Sequence, residues 1–260
     1  MGSIYGNRYL GNKVNLSNSM WFSYPGYNEI FTGKADDKNI NSNDKNYNQN
    51  KTILEKINEL PDYKGHVAAF GSWELFPFII NDKRSGIPVN AGYRTAIGND
   101  LTDIEKYLNR MQPMSHNLFH NSARLDIFTH GYAMEYIKKK HPKVVYISYA
   151  QTDNFSHSGA YSSYLHSAHS IDNMLKELWE YVQNDSFYKD KTAFIITTDH
   201  GRGLGDKWTS HGRETPKSNE VWVIMYGAGI KARGEVNKSE QHYTSMVVEE
   251  IKQLLNIKDK

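Results

Sequence analysis

Apolar residues along this chain fall into two kinds of run that take turns: short β-branched or aromatic blocks, and longer stretches with apolar positions three and four apart. The densest block is Val144-Val145-Tyr146-Ile147-Ser148-Tyr149, and comparable blocks occur around Val14–Leu16 and at His66–Phe70, Ala193–Ile196 and Glu220–Gly227. Blocks of this length, bounded by polar or glycine-containing segments, predict buried strands. Helical spacing appears in Lys51–Leu60 (Ile53, Leu54, Ile57, Leu60), where Pro61 stops it, and in Trp73–Ile80. It returns in the piece carrying Leu101, Ile104, Leu108 and Met111, in Arg124–Lys140, in Tyr161–Gln183 and in Tyr243–Leu255. Strand and helix alternating in this way predict an α/β fold built on a parallel sheet.

Two stretches lack such patterning. Residues 34–50 carry Asn at 39, 41, 43, 46, 48 and 50, interspersed with Asp and Lys, and read as a solvated loop. Residues 81–120 are polar and irregular apart from the one amphipathic piece, which predicts a lid or substrate-side excursion. The expected organisation is one domain, 1–260, with loop or cap excursions at about 34–50 and 81–120, since 260 residues hold a single large α/β core.

Charge and composition narrow the partners. Lys plus Arg number 31 against 29 Asp plus Glu, a formal net charge of +2, which gives no field of the kind that draws nucleic acid or an anionic membrane. There is no cysteine, so any metal falls to imidazole and carboxylate. No apolar run approaches the roughly 20 residues that span a bilayer, and Met1-Gly2-Ser3-Ile4-Tyr5-Gly6 is not a signal peptide. The expected partner is a small molecule.

Candidate chemistry gathers where blocks end. Thr197-Thr198-Asp199-His200-Gly201 follows one strand, and Asp153-Asn154-Phe155-Ser156-His157 follows another shortly after Tyr149. Open α/β sheets place ligands at that edge. Asp153 and His157 are four apart, a spacing that puts both side chains on one face of a helical turn. His211 lies in a further loop. These five residues supply two carboxylates and three imidazoles, a set suited to two divalent cations, zinc first and manganese or another ion second. Ser23, ahead of Pro25 at a strand-to-helix junction, is placed to be a nucleophile. His116, His120 and His130 have no carboxylate at ligand spacing and read as surface or structural. His166, His169 and Asp172 share a helix face, and His169 is the one expected to support the ligands by a hydrogen bond.

The order Ser-x-Pro (Ser23, Pro25), Asp-x-x-x-His (Asp153, His157), Asp-His-Gly (199–201) and His-Gly (His211, Gly212) ahead of the strand Glu220–Tyr226 resembles the alkaline phosphatase superfamily. Its nucleotide pyrophosphatase/phosphodiesterase-like and sulfatase-like branches are the most similar, over Trp21–Gly33 and Ala150 to about Lys231. The resemblance implies a three-layer α/β/α sandwich with a mostly parallel central sheet. It implies that Asp153, His157 and His211 bind one metal, that Asp199 and His200 bind the other, and that Ser23 is phosphorylated and then hydrolysed. In this superfamily a first strand ending in a metal-binding Asp precedes the nucleophile; only 22 residues precede Ser23 here and none is Asp, so the expectation is a chain that starts after that strand. Full-length relatives are expected to be exported. Where the phosphodiesterase branch places a phosphoryl-contacting Asn, this chain has Gly26, and Asn28 is the expected substitute. The expected activity is metal-dependent hydrolysis of a phosphate monoester or diester. The alternatives are a sulfatase or phosphonate hydrolase, although Ser23-Tyr24-Pro25-Gly26-Tyr27 lacks the Arg of the sulfatase motif, or an inactive remnant that serves as a binding module.

Overall fold

The computed structural model describes residues 2–115 and 122–258. In chain order it contains β1 (Ser3–Tyr5), β2 (Asn12–Asn15), α1 (Ser23–Thr32), α2 (Ile53–Asn58), β3 (Val67–Gly71), α3 (Phe76–Ile79), α4 (Asp82–Ser85), β4 (Val89–Ala91), α5 (Asp103–Met111) and α6 (Asp126–Lys140). It continues with β5 (Val144–Ser148), α7 (Gln151–His157), α8 (Tyr161–Asn184), β6 (Ala193–Thr197), β7 (Glu220–Val221), β8 (Val223–Gly227), β9 (Gly234–Glu235), β10 (Glu240–Tyr243) and α9 (Met246–Leu254). The class is α/β, as the alternation predicts. The chain packs as two compact units, one formed by Met1–Asp44 with Tyr181–Lys260 and one by Lys45–Glu180.

In the first unit, β6, β8, β1 and β9 form one sheet and β10, β2 and β7 another. The single strand expected over Glu220–Gly227 is divided at Trp222: β7 pairs with β2 through Val221 and Val14, and β8 pairs with β1 and β6 through Ile224, Ile4 and Ile196. Pairing here is mixed, with β6, β8 and β1 antiparallel and β9 and β10 parallel to their neighbours. Val223 and Met225 alternate inward along β8 and join Tyr5, Val14, Leu16, Ile30, Val221 and Val247 in one core. Each such side chain contributes about 1.5–3 kcal/mol by leaving water. The C-terminal helix begins at Met246 instead of Tyr243, because Glu240–Tyr243 extends as β10 beside β2.

The second unit holds the parallel sheet, in the order β4-β3-β5. Every residue of β3 is buried, with Val67 opposite Val144 and Gly71 opposite Ser148 on one side and Ala69 opposite Val89 on the other. A central strand covered on both faces reads as an unbroken apolar run, which is why this one is visible in the sequence. Phe70, Leu108, Phe128, Tyr132 and Ala133 pack α5 and α6 onto it. Thr102 and Glu105 close a capping box at the start of α5.

Three expectations are corrected. The stretch 81–120 is not all excursion: Val89–Ala91 is an edge strand of the parallel sheet, hidden because three residues between Pro88 and Gly92 carry no measurable period. The helix expected over Trp73–Ile80 shrinks to α3, since Trp73 is engaged in a β-bridge with Ala123. The Asn-rich loop is anchored: Ile40 and Asn48 are buried, and Asn48 donates to the Ile79 carbonyl at 3.2 Å.

Candidate metal centre

In the first unit, β6 runs out of the sheet at Thr197 and turns through Thr198-Asp199-His200-Gly201. Two glycines make that turn possible. A Cβ on Gly201 would lie 2.2 Å from the Glu220 carbonyl oxygen, and one on Gly26 would lie 2.1 Å from the Asp199 carbonyl oxygen. Helix α1 therefore meets the 198–201 turn with bare backbone. That close approach leaves no room for a Cβ at position 26.

His200 is buried, and its Nδ1 lies 2.9 Å from the Gly201 carbonyl oxygen. A carbonyl only accepts, so Nδ1 carries the proton and Nε2 presents a lone pair. Ser23 Oγ is 3.4 Å from that Nε2, and Asp199 Oδ2 is 3.6 Å from it. The His211 ring stacks on His200 with centroids 3.9 Å apart, and the two imidazoles offer nitrogens within 4.8 Å of each other. The first unit thus assembles Ser23, Asp199, His200 and His211. The donor set is nitrogen and carboxylate oxygen with no sulfur, which suits zinc, manganese and similar divalent ions.

Ser23 is the first residue of α1, which has no side-chain cap at Phe22. The turn leading to it is held almost wholly by side chains. Ser17 N and Asn18 N donate to the Glu29 carboxylate, Ser19 N to Asp37 Oδ2, and Met20 N and Trp21 N to Asn18 Oδ1. Glu29 is fully buried and also accepts from Asn18 Nδ2 and the Thr244 hydroxyl. Trp21 sits at φ 54°, a left-handed conformation that a tryptophan adopts only when its surroundings impose it. After the serine, Tyr24 N donates to Asn43 Oδ1 at 2.9 Å, and Pro25 has no N–H. Of the first three positions of α1, only the Ser23 N–H is therefore left for an anion. Asn43, Asp37, Asn18 and Glu29 carry no sequence motif; Asp37 and Asn43 fall in the Asn-rich stretch 34–50, and Asn18 and Glu29 lie outside it.

In the second unit, β5 delivers α7, which carries Asp153 in its first turn and His157 at its end. Their Oδ2 and Nε2 are 3.3 Å apart, and both side chains are partly exposed. The helical spacing read from the sequence is realised.

The remaining candidates lie elsewhere. Asn28 is fully buried, and its amide donates to the Lys34 carbonyl at 3.1 Å, closing the turn after α1. His169 is exposed on α8, and His166 Nδ1 donates to the Ser162 carbonyl. His130 is buried between the Tyr149 hydroxyl at 2.9 Å and Glu177 at 3.2 Å, the structural setting expected of it. His116 and His120 lie outside the described residues.

A family model described as the Metalloenzyme superfamily matches residues 114–257, more than half of the chain, and that span includes Asp153, His157, Asp199, His200 and His211. The chain belongs to the Metalloenzyme superfamily. Among curated relatives of this superfamily member, GPI ethanolamine phosphate transferase 1 of Homo sapiens is 31% identical over 80 residues, covering 31% of this chain and 8% of that protein. The Emericella nidulans protein of the same name is 36% identical over 67 residues, covering 26% and 7%. The matched stretch is thus less than a tenth of either relative.

Solved structures show the same fold at low identity. The alkaline phosphatase from the Antarctic bacterium TAB5 aligns with TM-score 0.56 and 14% identity, covering 98% of this chain and 89% of that one. Ps i-CgsB, solved with k-i-k-neocarrahexaose, aligns with TM-score 0.62 and 13% identity, covering 100% and 65%. A protein of the alkaline phosphatase superfamily from Vibrio parahaemolyticus aligns with TM-score 0.54 and 14% identity, covering 100% and 59%. The fold is that of the alkaline phosphatase superfamily, as the order of the four motifs implies, and the family is one of phosphoester transfer and hydrolysis that uses divalent metals. Among the described residues no helix is long and apolar enough to cross a membrane.

Proposed function

We propose that this chain cleaves phosphate esters, monoester or diester, through Ser23 at a centre of two divalent metal ions, zinc in the first instance. By the family resemblance Asp153, His157 and His211 hold one ion and Asp199 and His200 the other. The observation that carries the reading is the placement of Ser23 Oγ 3.4 Å from a His200 Nε2 whose lone pair is fixed by the Gly201 carbonyl. Bound divalent ions would supply charge to withdraw the serine proton and to offset the negative charge that builds on the phosphoryl oxygens.

The protein's own residues do the rest. The clamped turn from Ser17 to Phe22 fixes the serine before substrate arrives, so that orientation is prepaid in the fold. Ser23 Oγ bonds to phosphorus as the bond to the leaving alcohol breaks, and the alcohol takes up a proton. Water then cleaves the Oγ–P bond and returns a proton to Ser23. The Ser23 N–H, at the positive end of α1, favours a phosphoryl oxygen beside it.

A second reading has a specific support. The curated relatives named above carry the name GPI ethanolamine phosphate transferase 1, and a phosphoserine can pass its group to an alcohol acceptor in place of water. One assay separates the two. The full chain is loaded with zinc and given p-nitrophenyl phosphate with and without a high concentration of ethanolamine as acceptor. Nitrophenol and inorganic phosphate in equal amounts mark hydrolysis; phosphate lagging behind nitrophenol marks transfer. Absence of either product, with metal bound, would leave the inactive binding module as the surviving reading.

A further inference from the structure

Helix α7 carries Asp153 and His157, yet its own N-cap, Ala150, has no side chain that could cap it. The same holds for α6, whose N-cap is Leu125. The two helix starts cap each other. Asp126, the first residue of α6, accepts Ala150 N at 2.8 Å and Gln151 N at 3.0 Å, one on each carboxylate oxygen. Gln151, the first residue of α7, returns the bond, its Oε1 accepting Asp126 N at 2.7 Å. A capping box does this within one helix; here it is distributed over two.

Behind the exchange lies a buried chain of hydroxyls that runs in one direction. Arg124 Nε donates to Thr129 Oγ1 at 2.8 Å, the Thr129 hydroxyl to Ser72 Oγ at 2.8 Å, and the Ser72 hydroxyl to Asp126 Oδ1 at 2.6 Å. Arg124 and Asp126 are both buried, at 0% and 2% exposure, so the Asp126 side chain is held between the hydroxyl chain from Arg124 and two helix-start N–H groups. Arg124 is fixed in turn by Asn90 and Gln112. Nothing in this network carries a metal ligand or a nucleophile, and its rigid end grips the first turn of the helix that does.

We propose that Asp126 and Gln151 are positioning residues for the ligand pair Asp153 and His157, setting where α7 starts and so where a divalent cation is bound. The inference rests on the metal-centre reading given above. Groups that orient ligands from behind typically change metal affinity by about 10- to 100-fold when removed.

The test is equilibrium binding of zinc alone to the metal-stripped full chain, in competition with a chromogenic chelator, alongside far-UV circular dichroism and thermal melting of each metal-free variant. Asp126→Asn and Gln151→Ala are each expected to weaken zinc binding by about 10- to 100-fold while the folded spectrum persists. Gln151→Glu, which keeps the accepting oxygen, is expected to restore affinity close to that of the unaltered chain. If Asp126→Asn fails to fold because Arg124 loses its counter-charge, Gln151→Ala carries the test, since it removes no charge. Unaltered zinc affinity in a folded Gln151→Ala chain, with any loss confined to the melting temperature, would overturn the proposal and leave the metal-centre reading intact. An unaltered chain that binds no zinc would overturn both.

Discussion

His200 Nε2 faces Ser23 Oγ at 3.4 Å, and the opposite nitrogen of the same ring is tied to the carbonyl of the next residue, Gly201, at 2.9 Å. One backbone bond thus decides which nitrogen can serve as a ligand beside the serine. Swapping His200 for Gln, which offers an oxygen and an NH2 in place of a fixed lone pair, is expected to lower metal binding and turnover together. Metal content and hydrolysis of p-nitrophenyl phosphate, measured on one preparation, check this; loss of turnover with full metal content would speak against His200 as a ligand.

Gly26 is the contact that lets α1 approach the same turn. Gly26→Ala places a methyl 2.1 Å from the Asp199 carbonyl oxygen, so backbone must move. Overpacking of this kind costs about 1–3 kcal/mol. The expected result is a lowered melting temperature with activity falling further than the stability loss accounts for, because the shift separates Ser23 from His200. A variant with unchanged activity would show that the approach of α1 is not needed for chemistry.

Asn18→Ala removes the acceptor of Met20 N and Trp21 N, and with it the hydrogen bond that helps hold Trp21 at φ 54°. Two buried or half-buried donors left without partners cost about 1–3 kcal/mol each. Turnover is expected to fall with zinc content unchanged, since none of the proposed metal ligands touches Asn18. Steady-state kinetics and metal analysis decide it.

The pattern of apolar residues made the two strand exits that carry the candidate ligands legible. Val144–Tyr149 and Ala193–Ile196 are dense enough to be strands, and an Asp and a His follow each at the sheet edge, so Asp153, His157, Asp199 and His200 stood out. Ser23 was readable only through its order relative to those motifs. What stayed hidden has one physical character. Asp37 and Asn43 grip the chain around Ser23 through side-chain bonds to backbone N–H groups 18 and 19 residues earlier in the chain, and Asp126 reaches 24 and 25 residues ahead. Such bonds leave no local period. The edge strand Val89–Ala91 was hidden by brevity, and the bond of the buried Asn28 amide to the Lys34 carbonyl has no sequence signal, since an amide that closes a turn looks, in sequence, like one that faces a ligand.

A pH dependence follows from His130. Burial lowers its pKa below the ordinary histidine value of 6.5, with Glu177 opposing the shift. A histidine held neutral in the fold binds its proton more weakly there than in the unfolded chain. Its contribution to stability is therefore constant above about pH 6.5 and declines as pH falls from there through the folded pKa. Thermal melts of the metal-free chain across pH 5–8 should show that acid-side loss, and it should be shallower in His130→Gln. A steeper loss in the variant would mean that His130 binds its proton more tightly in the fold than in the unfolded chain.

The core of the first unit offers a stability check independent of the chemistry. Met225 is 2% exposed on β8 and packs with Tyr5, Val14 and Val223. Met225→Ala is expected to cost about 2–5 kcal/mol, read from denaturant unfolding. A cost near zero would contradict the placement of β8 in that core.

The most direct test of the central claim is capture of the covalent intermediate. The full chain, loaded with zinc, is mixed with p-nitrophenyl phosphate, quenched in acid within the turnover time and digested for mass spectrometry. One added phosphoryl group is expected on the peptide that contains Ser23, localised to that serine, with no labelling or turnover in Ser23→Ala. Turnover that survives in Ser23→Ala, or a phosphoryl group found on another residue, would contradict it.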